Sequence, residues 1–412
     1  MAAGFTMQTN QVNQFDPFLP DIPAQRYTYY RHFREHDPVH QGIALTPNAS
    51  TTWYLFGYDE VAAALRDDRL RRRRAGNSSQ ATLAQEIRPF IEMSTSWLVF
   101  QDPPNHTRLR TLVNKAFTPR IVANLRPRIQ QITDYLLDTA AAQGGMDLIA
   151  DFAFPLPVMI IGEMLGVPVT DRRQMRQWSA ILAAAVDARP SLDIFKQASE
   201  VTLELQAYLQ HIINQRRHKP REDLITALLA AEAAEGKLSE QELIAMCMLL
   251  LVAGHETTVN LIGNGSLALA QHPTQWRKLA FDYSLITTAI EELLRYDSPV
   301  QMVSRFAAEE IMIGDKMIGK GDSVIAVLGS ANRDPAHFTQ PDKLDIGREA
   351  SSTAAFGFGI HFCVGAALAR VEGQLAIGTL VQRFPHLCLQ HETPIWRPHV
   401  VFAGLKSLLV TF

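Results

Sequence analysis

One cysteine near the C-terminus follows a loop in which aromatic residues alternate with glycines. The segment Phe356–Gly365 reads FGFGIHFCVG, and the helix-forming run AALAR comes directly after it. Gly357 and Gly359 permit backbone conformations that are closed to other residues, so the main chain can approach a flat partner closely. Cys363 lies near a predicted helix N-terminus, where the helix dipole and free N–H groups favour a thiolate. Such a thiolate is suited to be the axial ligand of a haem iron.

The loop resembles the haem-binding segment of the cytochrome P450 family. The family pattern F-x-x-G-x-x-x-C-x-G is filled at every fixed position, by Phe356, Gly359, Cys363 and Gly365. The resemblance implies haem b as the cofactor and Cys363 as the ligand of its iron. It also implies that Phe356, Gly357 and Gly365 belong to the haem-binding residues. A structural cysteine in a glycine loop is the alternative that these residues alone leave open.

A polar segment interrupts the longest apolar helix that the sequence predicts, Leu243–Ala270, whose centre reads AGHETT. Carboxylate and threonine side chains are unfavourable there because they compete with the backbone, and such breaks of local rules often mark functional sites. The segment resembles the acid–alcohol pair of the same family. The resemblance implies that Thr257 hydrogen-bonds bound dioxygen, that Glu256 helps relay protons, and that Ala253 and Gly254 leave space beside the haem. From the residues alone, a polar kink satisfied within the helix is the alternative.

Four basic residues match positions that contact the haem propionates in bacterial members of the family. His106 and Arg110 are four residues apart, so they face one way on a predicted helix. Arg305 follows a proline turn, and His361 stands two residues before the cysteine. Arginine suits carboxylates because its planar fork can bind them through two hydrogen bonds. The run Arg69–Arg74, by contrast, is interpreted as a solvated surface rather than a polyanion site.

A possible ion pair ends another predicted helix. Glu292 and Arg295 are three residues apart and share a helix face. This spacing resembles the family's E-x-x-R motif, whose pair supports the irregular segment before the cysteine loop. The resemblance implies Arg348 as a third member of this structural group, whereas in isolation the spacing would indicate an ordinary surface pair.

The walls of the substrate pocket are assigned by the same resemblance, and most of them are apolar. A fatty acid, terpenoid, steroid or macrolide core would fit such a lining, but the sequence does not select among these substrates or the position of oxidation. The predicted lining residues are Trp97, Phe100, Leu250, Val300, Met302, Val303 and Phe402.

Composition excludes several classes of function. The 412 residues are 47% hydrophobic and 20% charged with a net charge of −3, so neither nucleic acid nor a membrane is an expected partner. No pair of the three cysteines forms a C-x-x-C motif, which suits a reducing cytoplasm; Cys247 and Cys388 are expected to be core residues. We expect residues 1–14 to be a disordered lead-in and residues 15–412 to form one domain of a cytoplasmic monomer.

The predicted elements are mainly helical. Helical periodicity dominates from Asp102 to about Leu294, and a further helix is expected from Cys363 to about Phe384. Strands are predicted at Trp53–Phe56, within Glu310–Ala331 and near the C-terminus. The resemblance implies the single-domain cytochrome P450 fold, a triangular helical prism with a smaller β portion around a buried haem.

The function implied by the resemblance is that of a haem-thiolate monooxygenase. It would insert one oxygen atom into a hydrophobic small molecule, by hydroxylation or epoxidation, with electrons from a separate ferredoxin and ferredoxin reductase, because no fused reductase is expected. A non-catalytic haem-thiolate sensor or binding protein has no need of the Glu256–Thr257 pair. Fatty-acid peroxygenases usually replace that pair with Arg-Pro. His255 is expected to join a hydrogen-bond network or face solvent rather than bind the iron.

Overall fold

The computed structural model of the chain describes residues 14–45, 51–74, 84–235, 238–349, 352–391 and 393–412. All but residue 14 of the predicted lead-in therefore lies outside the described residues. The expectation of a mainly α protein with a smaller β portion is confirmed. The helices are α1 (Ile22–His36), α2 (Tyr58–Ala64), α3 (Arg88–Thr95), α4 (Asn105–Ala116), α5 (Pro119–Gln143), α6 (Pro155–Met164), α7 (Arg172–Val186), α8 (Leu192–His218), α9 (Leu224–Glu235), α10 (Glu240–Gln271), α11 (Pro273–Phe281), α12 (Ile286–Tyr296), α13 (Leu328–Ala331) and α14 (Ala366–Arg383).

The strands form one sheet of five strands and three smaller sheets. The large sheet has the order β1-β2-β8-β5-β3, in which β2 and β8 are parallel and the other neighbours are antiparallel. The small sheets have the orders β4-β12-β9, β6-β7 and β10-β11. The strands are β1 (Val39–Gln41), β2 (Thr52–Leu55), β3 (Leu70–Arg71), β4 (Gly145–Asp147), β5 (Met302–Ala307), β6 (Ile311–Ile313), β7 (Lys316–Ile318), β8 (Ser323–Val327), β9 (Cys388–Leu389), β10 (Ile395–Trp396), β11 (Leu405–Ser407) and β12 (Leu409–Thr411).

The central helix α10 organises the helical core. It begins with a capping box, in which the Ser239 hydroxyl accepts from the Glu242 amide and the Glu242 carboxylate accepts from the Ser239 amide. The helix packs against α6, α7, α12 and α14. Its length and mean hydropathy of 1.4 would allow it to cross a membrane, but 78% of its apolar window is buried inside the protein. Core helices have this property, so the apolar run of α10 is explained by packing.

Proline determines several helix starts because its fixed φ suits the first helical turn and its missing N–H is not needed there. Pro119, Pro155 and Pro273 begin α5, α6 and α11.

Near the C-terminus, the expectation that Cys388 is a core residue is wrong. This cysteine lies exposed at the start of the edge strand β9, whereas Cys247 on α10 is buried.

Candidate active site

The cysteine loop is shaped by two glycines with positive φ. Gly357 and Gly359 both have φ of 70°, a conformation that side chains with a Cβ rarely adopt. A Cβ on Gly359 would also lie 2.3 Å from the carbonyl oxygen of Leu65. The amide of Cys363 donates to the carbonyl oxygen of Phe356 at 3.0 Å, and this bond closes the loop. The glycines therefore hold the cysteine in place by letting the loop pack directly on the end of α2.

Cys363 is exposed to solvent, although surrounding protein desolvates its thiol. Burial raises the pKa of this thiol, while the Gly365 amide and the guanidinium groups of Arg110 and Arg370 oppose the rise. The Gly365 amide at the helix end favours the thiolate, as the sequence predicts, but desolvation is the larger effect and raises the pKa overall. A coordinated metal ion deprotonates a thiol outright. Binding to iron would therefore stabilise the thiolate form of Cys363, which the helix end does not achieve against desolvation.

One face of α10 is left open in an otherwise buried stretch. From Leu243 to Leu269, every residue of α10 is buried except Ala253, Gly254 and Thr257. These three residues are spaced so that they share one helix face. A Cβ added to Gly254 would meet only the Ile161 side chain, at 3.9 Å. The helix thus presents a small, open surface with a single hydroxyl on it.

The two side chains of the predicted acid–alcohol pair have different partners. The Thr257 hydroxyl donates to the carbonyl oxygen of Ala253 at 2.8 Å, which holds it against its own helix. The Glu256 side chain is buried, and its carboxylate accepts from Nη1 of Arg397 at 2.7 Å. The carboxylate therefore has a cation from the C-terminal part of the chain, which the sequence analysis did not predict.

Of the two alternatives expected for His255, a place in a hydrogen-bond network is confirmed and exposure to solvent is wrong, because the residue is fully buried. Its Nδ1 is hydrogen-bonded to the Ser179 hydroxyl on α7 at 2.8 Å, and its ring packs edge-on against Phe154. Burial lowers its pKa to about 3, with smaller contributions from Arg397 and Arg176. A neutral His255 thus connects α10 to α7.

The structure brings together the four residues predicted to contact propionates. The rings of His106 and His361 lie 4.3 Å apart. Burial, with smaller contributions from the neighbouring Arg305, His106, Arg72 and Arg110, lowers the pKa of His361 to about 2. Burial likewise lowers the pKa of Arg305 to about 9, with Arg72 as the next cause. These residues form a partly buried group in which the arginines carry the positive charge and the two histidines are neutral.

Arg72 is a member of this cluster that the sequence analysis missed. Its neighbours Arg71 and Arg73 are exposed, as expected for a solvated run. Arg72 itself donates to the carbonyl oxygens of Val99 and Ser304. Strand β3 pairs with β5, which carries Arg305. Because this pairing is long-range, the run Arg69–Arg74 by itself did not indicate that Arg72 differs from its exposed neighbours.

The residues around this region fit a haem. Arg110 and Arg305 have no carboxylate partner among the residues that the structure describes, and Nε2 of the buried His106 has no hydrogen-bond partner. Two propionates would supply the missing anions and acceptors. The exposed Cys363 offers a sulfur ligand for iron, and α10 has an uncovered face at Ala253, Gly254 and Thr257.

The predicted ion pair is buried and has a third member. The Arg295 guanidinium donates to both oxygens of Glu292, at 2.7 and 2.8 Å, and Arg348 donates to Oε2 at 2.9 Å. Arg295 also donates to the carbonyl oxygens of Asn332 and Pro341. The group therefore fastens the irregular segment that precedes the cysteine loop to α12.

The segment is connected further to the cysteine loop by Asn332. Its Oδ1 accepts from the Thr353 hydroxyl and the Ala354 amide, at 3.0 and 2.7 Å. Its Nδ2 donates to the Ser298 hydroxyl at 2.7 Å, just after α12. The chain leading into Phe356 is thus held at both ends, which fixes where the cysteine loop begins.

The predicted pocket residues do not all share one side of the structure. Strand side chains alternate, so Met302 packs with Tyr54 and Ile325 on one face of β5, whereas Val303 lies on the other face with Arg305. Trp97 is 1% exposed and packs against other aromatic rings as a core residue. The structure places the others as follows: Leu250 is buried on α10, Phe100 is partly buried beside Trp97, and Val300 forms a bridge with Phe402.

Comparisons with known proteins agree with this geometry. The model of the family described as Cytochrome P450 matches residues 45–284 and 281–405. Cytochrome P450 107B1 of Saccharopolyspora erythraea is 44% identical over 411 residues, which cover 98% of this chain and 99% of the relative. The biotin biosynthesis cytochrome P450 of Bacillus subtilis is 41% identical over 386 residues, covering 94% and 96%.

A solved structure is similar over nearly the same length. The crystal structure of P450BioI in complex with hexadec-9Z-enoic acid ligated acyl carrier protein superposes with a TM-score of 0.88 at 40% identity, covering 95% of this chain and 99% of that one. With such likeness in sequence and in fold, the chain belongs to the cytochrome P450 family, and it is an oxidoreductase of the monooxygenase class with haem b as its cofactor.

Proposed function

We propose that this monooxygenase transfers one atom of dioxygen to a hydrophobic small molecule, by hydroxylation or epoxidation, using electrons from a ferredoxin and its reductase. In a hydroxylation, one oxygen atom enters a C–H bond, the other leaves as water, and two electrons and two protons are consumed. The observation that carries this proposal is the open face of α10. There, two small residues and the Thr257 hydroxyl interrupt a buried helix, next to a carboxylate.

The bound haem would supply the reduction and cleavage of dioxygen, a reaction that thiolate ligation promotes. The chain's own residues would hold it. Cys363 is proposed as the iron ligand, and Phe356, Gly357 and Gly365 shape the loop around it. The cluster formed by His106, Arg110, Arg305 and His361, with Arg72 beside them, is proposed to bind the propionates.

Thr257 and Glu256 are proposed to deliver protons to the reacting oxygen. The Thr257 hydroxyl is the polar group on the open face of α10 and can both donate and accept a hydrogen bond. Glu256 is the adjacent ionisable group, and a carboxylate can pass protons between solvent and a hydroxyl. Ala253 and Gly254 leave room for dioxygen and for the substrate carbon next to this hydroxyl.

The substrate is proposed to be an apolar molecule such as a fatty acid, terpenoid, steroid or macrolide. The related P450BioI structure contains a hexadec-9Z-enoic acid ligated to acyl carrier protein, which favours acyl chains for the first screen. Phe100, Leu250, Val300, Val303 and Phe402 remain the proposed lining. The protein is proposed to act as a monomer in the cytoplasm, and electron transfer from separate carriers is consistent with the family.

The test is the amount of product formed per reduced cofactor consumed, measured with a substrate that shifts the haem band and with a competent ferredoxin system. Thr257→Ala should still bind haem and substrate but release much of the reduced oxygen as hydrogen peroxide, because the proton donor beside the reaction is lost. Glu256→Gln should instead slow turnover, since general acid–base groups contribute about 10²–10⁴-fold to a rate.

Thr258→Ala is the matched control for Thr257→Ala, because Thr258 is buried on the next helix position and faces Glu372 on α14. It should leave the ratio of product to cofactor close to that of the wild type. Unchanged coupling in Thr257→Ala would remove this residue from the proposal. A wild type that forms no product from any hydrophobic substrate would favour a non-catalytic haem-binding protein.

A further inference from the structure

A polar stripe on α10 faces the C-terminal hairpin, which comprises residues 395–407 and contains β10 and β11. Glu256, Asn260 and Asn264 are spaced four residues apart, and their side chains are all buried. Asn264 donates to the carbonyl oxygen of Ala403 at 2.9 Å, and a Cβ on Gly404 would lie 2.2 Å from Oδ1 of Asn260. The hairpin therefore packs directly along the helix face that begins with Glu256.

Arg397 completes this contact at Glu256. Its guanidinium lies 2.7 Å from Oε1, and the two side chains are 22% and 4% exposed. The amide of Arg397 donates to the carbonyl oxygen of Gly404 at 2.9 Å, so the position of this arginine depends on the hairpin being closed. Because Arg397 is partly exposed, its side chain lies between the buried Glu256 carboxylate and the solvent.

The same hairpin is attached to the end of α7. The carboxylate of Asp187, the residue directly after α7, accepts from the amide of Val401 at 2.8 Å and from the amide of Val400 at 3.2 Å. Hydrogen bonds to an ionised acceptor are stronger than neutral ones. The start of the connection between α7 and α8 is thus held to the segment that carries Arg397.

Other charged and titratable groups near the pair do not replace Arg397. The neighbouring His255 is uncharged, because burial lowers its pKa to about 3. The Arg176 guanidinium lies over the Phe154 ring, with its centre 4.2 Å from the ring centroid. In the part of the chain that the structure describes, Arg397 is the cation that forms an ion pair with Glu256.

We propose that Arg397 is a positioning residue for the proton relay: the 395–407 hairpin fixes the Glu256 carboxylate next to Thr257, and Asp187 links that position to the α7–α8 connection. This inference rests on the proposed relay and extends it to residues outside the helix. Arg397 acts only through Glu256, so its effect must disappear when Glu256 can no longer ionise.

The experiment is a double-mutant cycle on the haem-loaded protein with ferredoxin, ferredoxin reductase and cis-9-hexadecenoic acid as the probe. The readout is the rate of reduced-cofactor consumption, which requires protons whether product or hydrogen peroxide forms. Arg397→Gln should reduce this rate by about tenfold, and Arg397→Lys should restore most of it. In the Glu256→Gln background, Arg397→Gln should change the rate by less than about twofold.

Arg172→Gln is the control for losing a partly buried guanidinium, because Arg172 pairs with Glu163 instead of Glu256. It should leave the rate unchanged. If Arg397→Gln folds poorly alone, the variant that also carries Glu256→Gln has no unpaired carboxylate and remains measurable. Equal losses in both backgrounds, or a wild-type rate in Arg397→Gln, would overturn the proposal.

The link through Asp187 has its own readout, hydrogen exchange at the amides of Val400 and Val401 in the absence of any substrate. Asp187→Asn should speed exchange there and lower the cofactor consumption rate, and the second effect should vanish in the Glu256→Gln background. Faster exchange with an unchanged rate would contradict the link. A wild type that consumes cofactor without ever forming product would reject the proposed function but leave these comparisons interpretable.

Discussion

At the scale of single residues, the chemistry of Cys363 depends on more than its place before a helix. Burial raises the pKa of the thiol, against the influence of the Gly365 amide and of Arg110. A group of arginines lies near the same loop, and in the described part of the chain Arg110 and Arg305 form no ion pair with a carboxylate. Both features are unfavourable in the protein alone, and both are relieved by a group that brings a metal ion and carboxylates.

The first prediction concerns the iron ligand. The reduced wild-type protein should bind carbon monoxide with the long-wavelength Soret band of thiolate-ligated haem, and Cys363→Ala should lose this band. Cys247→Ala and Cys388→Ala are the controls; the first thiol is buried, with its pKa raised to about 12, and the second is exposed. A band that survives in Cys363→Ala but not in Cys247→Ala would show that the ligand is misassigned.

The sequence could not predict the surroundings of residues whose contacts are with distant parts of the chain. Met302 and Val303 are neighbours in the chain, and only the packing of β5 shows that the face of Met302 lies against Tyr54 and Ile325. Arg72 joins the cation cluster because β3 pairs with β5. Arg397 is 141 residues from Glu256 along the chain. No local pattern reports such contacts.

At the scale of elements, the sequence predicted the helical region from Asp102 to about Leu294 and the helix after Cys363, because helix signals are local. Prolines and capping residues mark the starts of α5 and α10, and the polar break at Thr257 falls on the open face of α10. The E-x-x-R spacing predicted an ion pair, but only the fold shows that Glu292 is buried and also accepts from Arg348. Burial is what makes this pair sensitive to mutation.

Loss of either member of that pair should reduce the yield of haem-loaded protein. Glu292→Ala or Arg295→Ala leaves a buried charge without its partner, which costs about 3–5 kcal/mol. The irregular segment before the cysteine loop would then lose its attachment to α12. Haem content per mole of protein is the measurement, and Lys196→Ala, which removes an exposed pair with Glu86, is the control. Normal haem content in both Glu292 and Arg295 variants would contradict a structural role.

The contact between α10 and α14 should make stability depend on pH. Glu372 on α14 is buried, and burial raises its pKa to about 8 despite a hydrogen bond with Thr258. The folded state therefore binds this proton more tightly than the unfolded state, and the stabilisation is lost as pH rises through the window between the unfolded and folded pKa values.

Glu372→Gln should remove this dependence because the amide resembles the protonated carboxyl. From pH 5 to pH 8, the free energy of unfolding of the wild type should fall by about 3 kcal/mol relative to that of Glu372→Gln. Denaturant titrations of both proteins at the two pH values measure the difference. Parallel pH profiles for the two proteins would mean that Glu372 is ionised in the folded state at neutral pH.

At the scale of the whole molecule, helices and sheets meet around one functional region. The helical core contributes α10 and α14 to this region. The large sheet contributes Arg305 on β5 and Arg72, which directly follows the neighbouring strand β3. The 395–407 hairpin and the end of α7 then contact the side of α10 that carries Glu256. The fold thus brings basic residues from distant segments to the cysteine loop, and it brings Arg397 and the end of α7 to the side of α10 that carries Glu256.

The origin of the oxygen atom in the product tests the central proposal most directly. The protein is supplied with ferredoxin, ferredoxin reductase, reduced cofactor and a hydrophobic substrate under isotopically heavy dioxygen, and the product is analysed by mass spectrometry. We expect one heavy oxygen atom per product molecule, and none when the label is in the water instead. Product oxygen that comes from water, or no oxygenated product with any substrate that shifts the haem band, would contradict monooxygenation by this site.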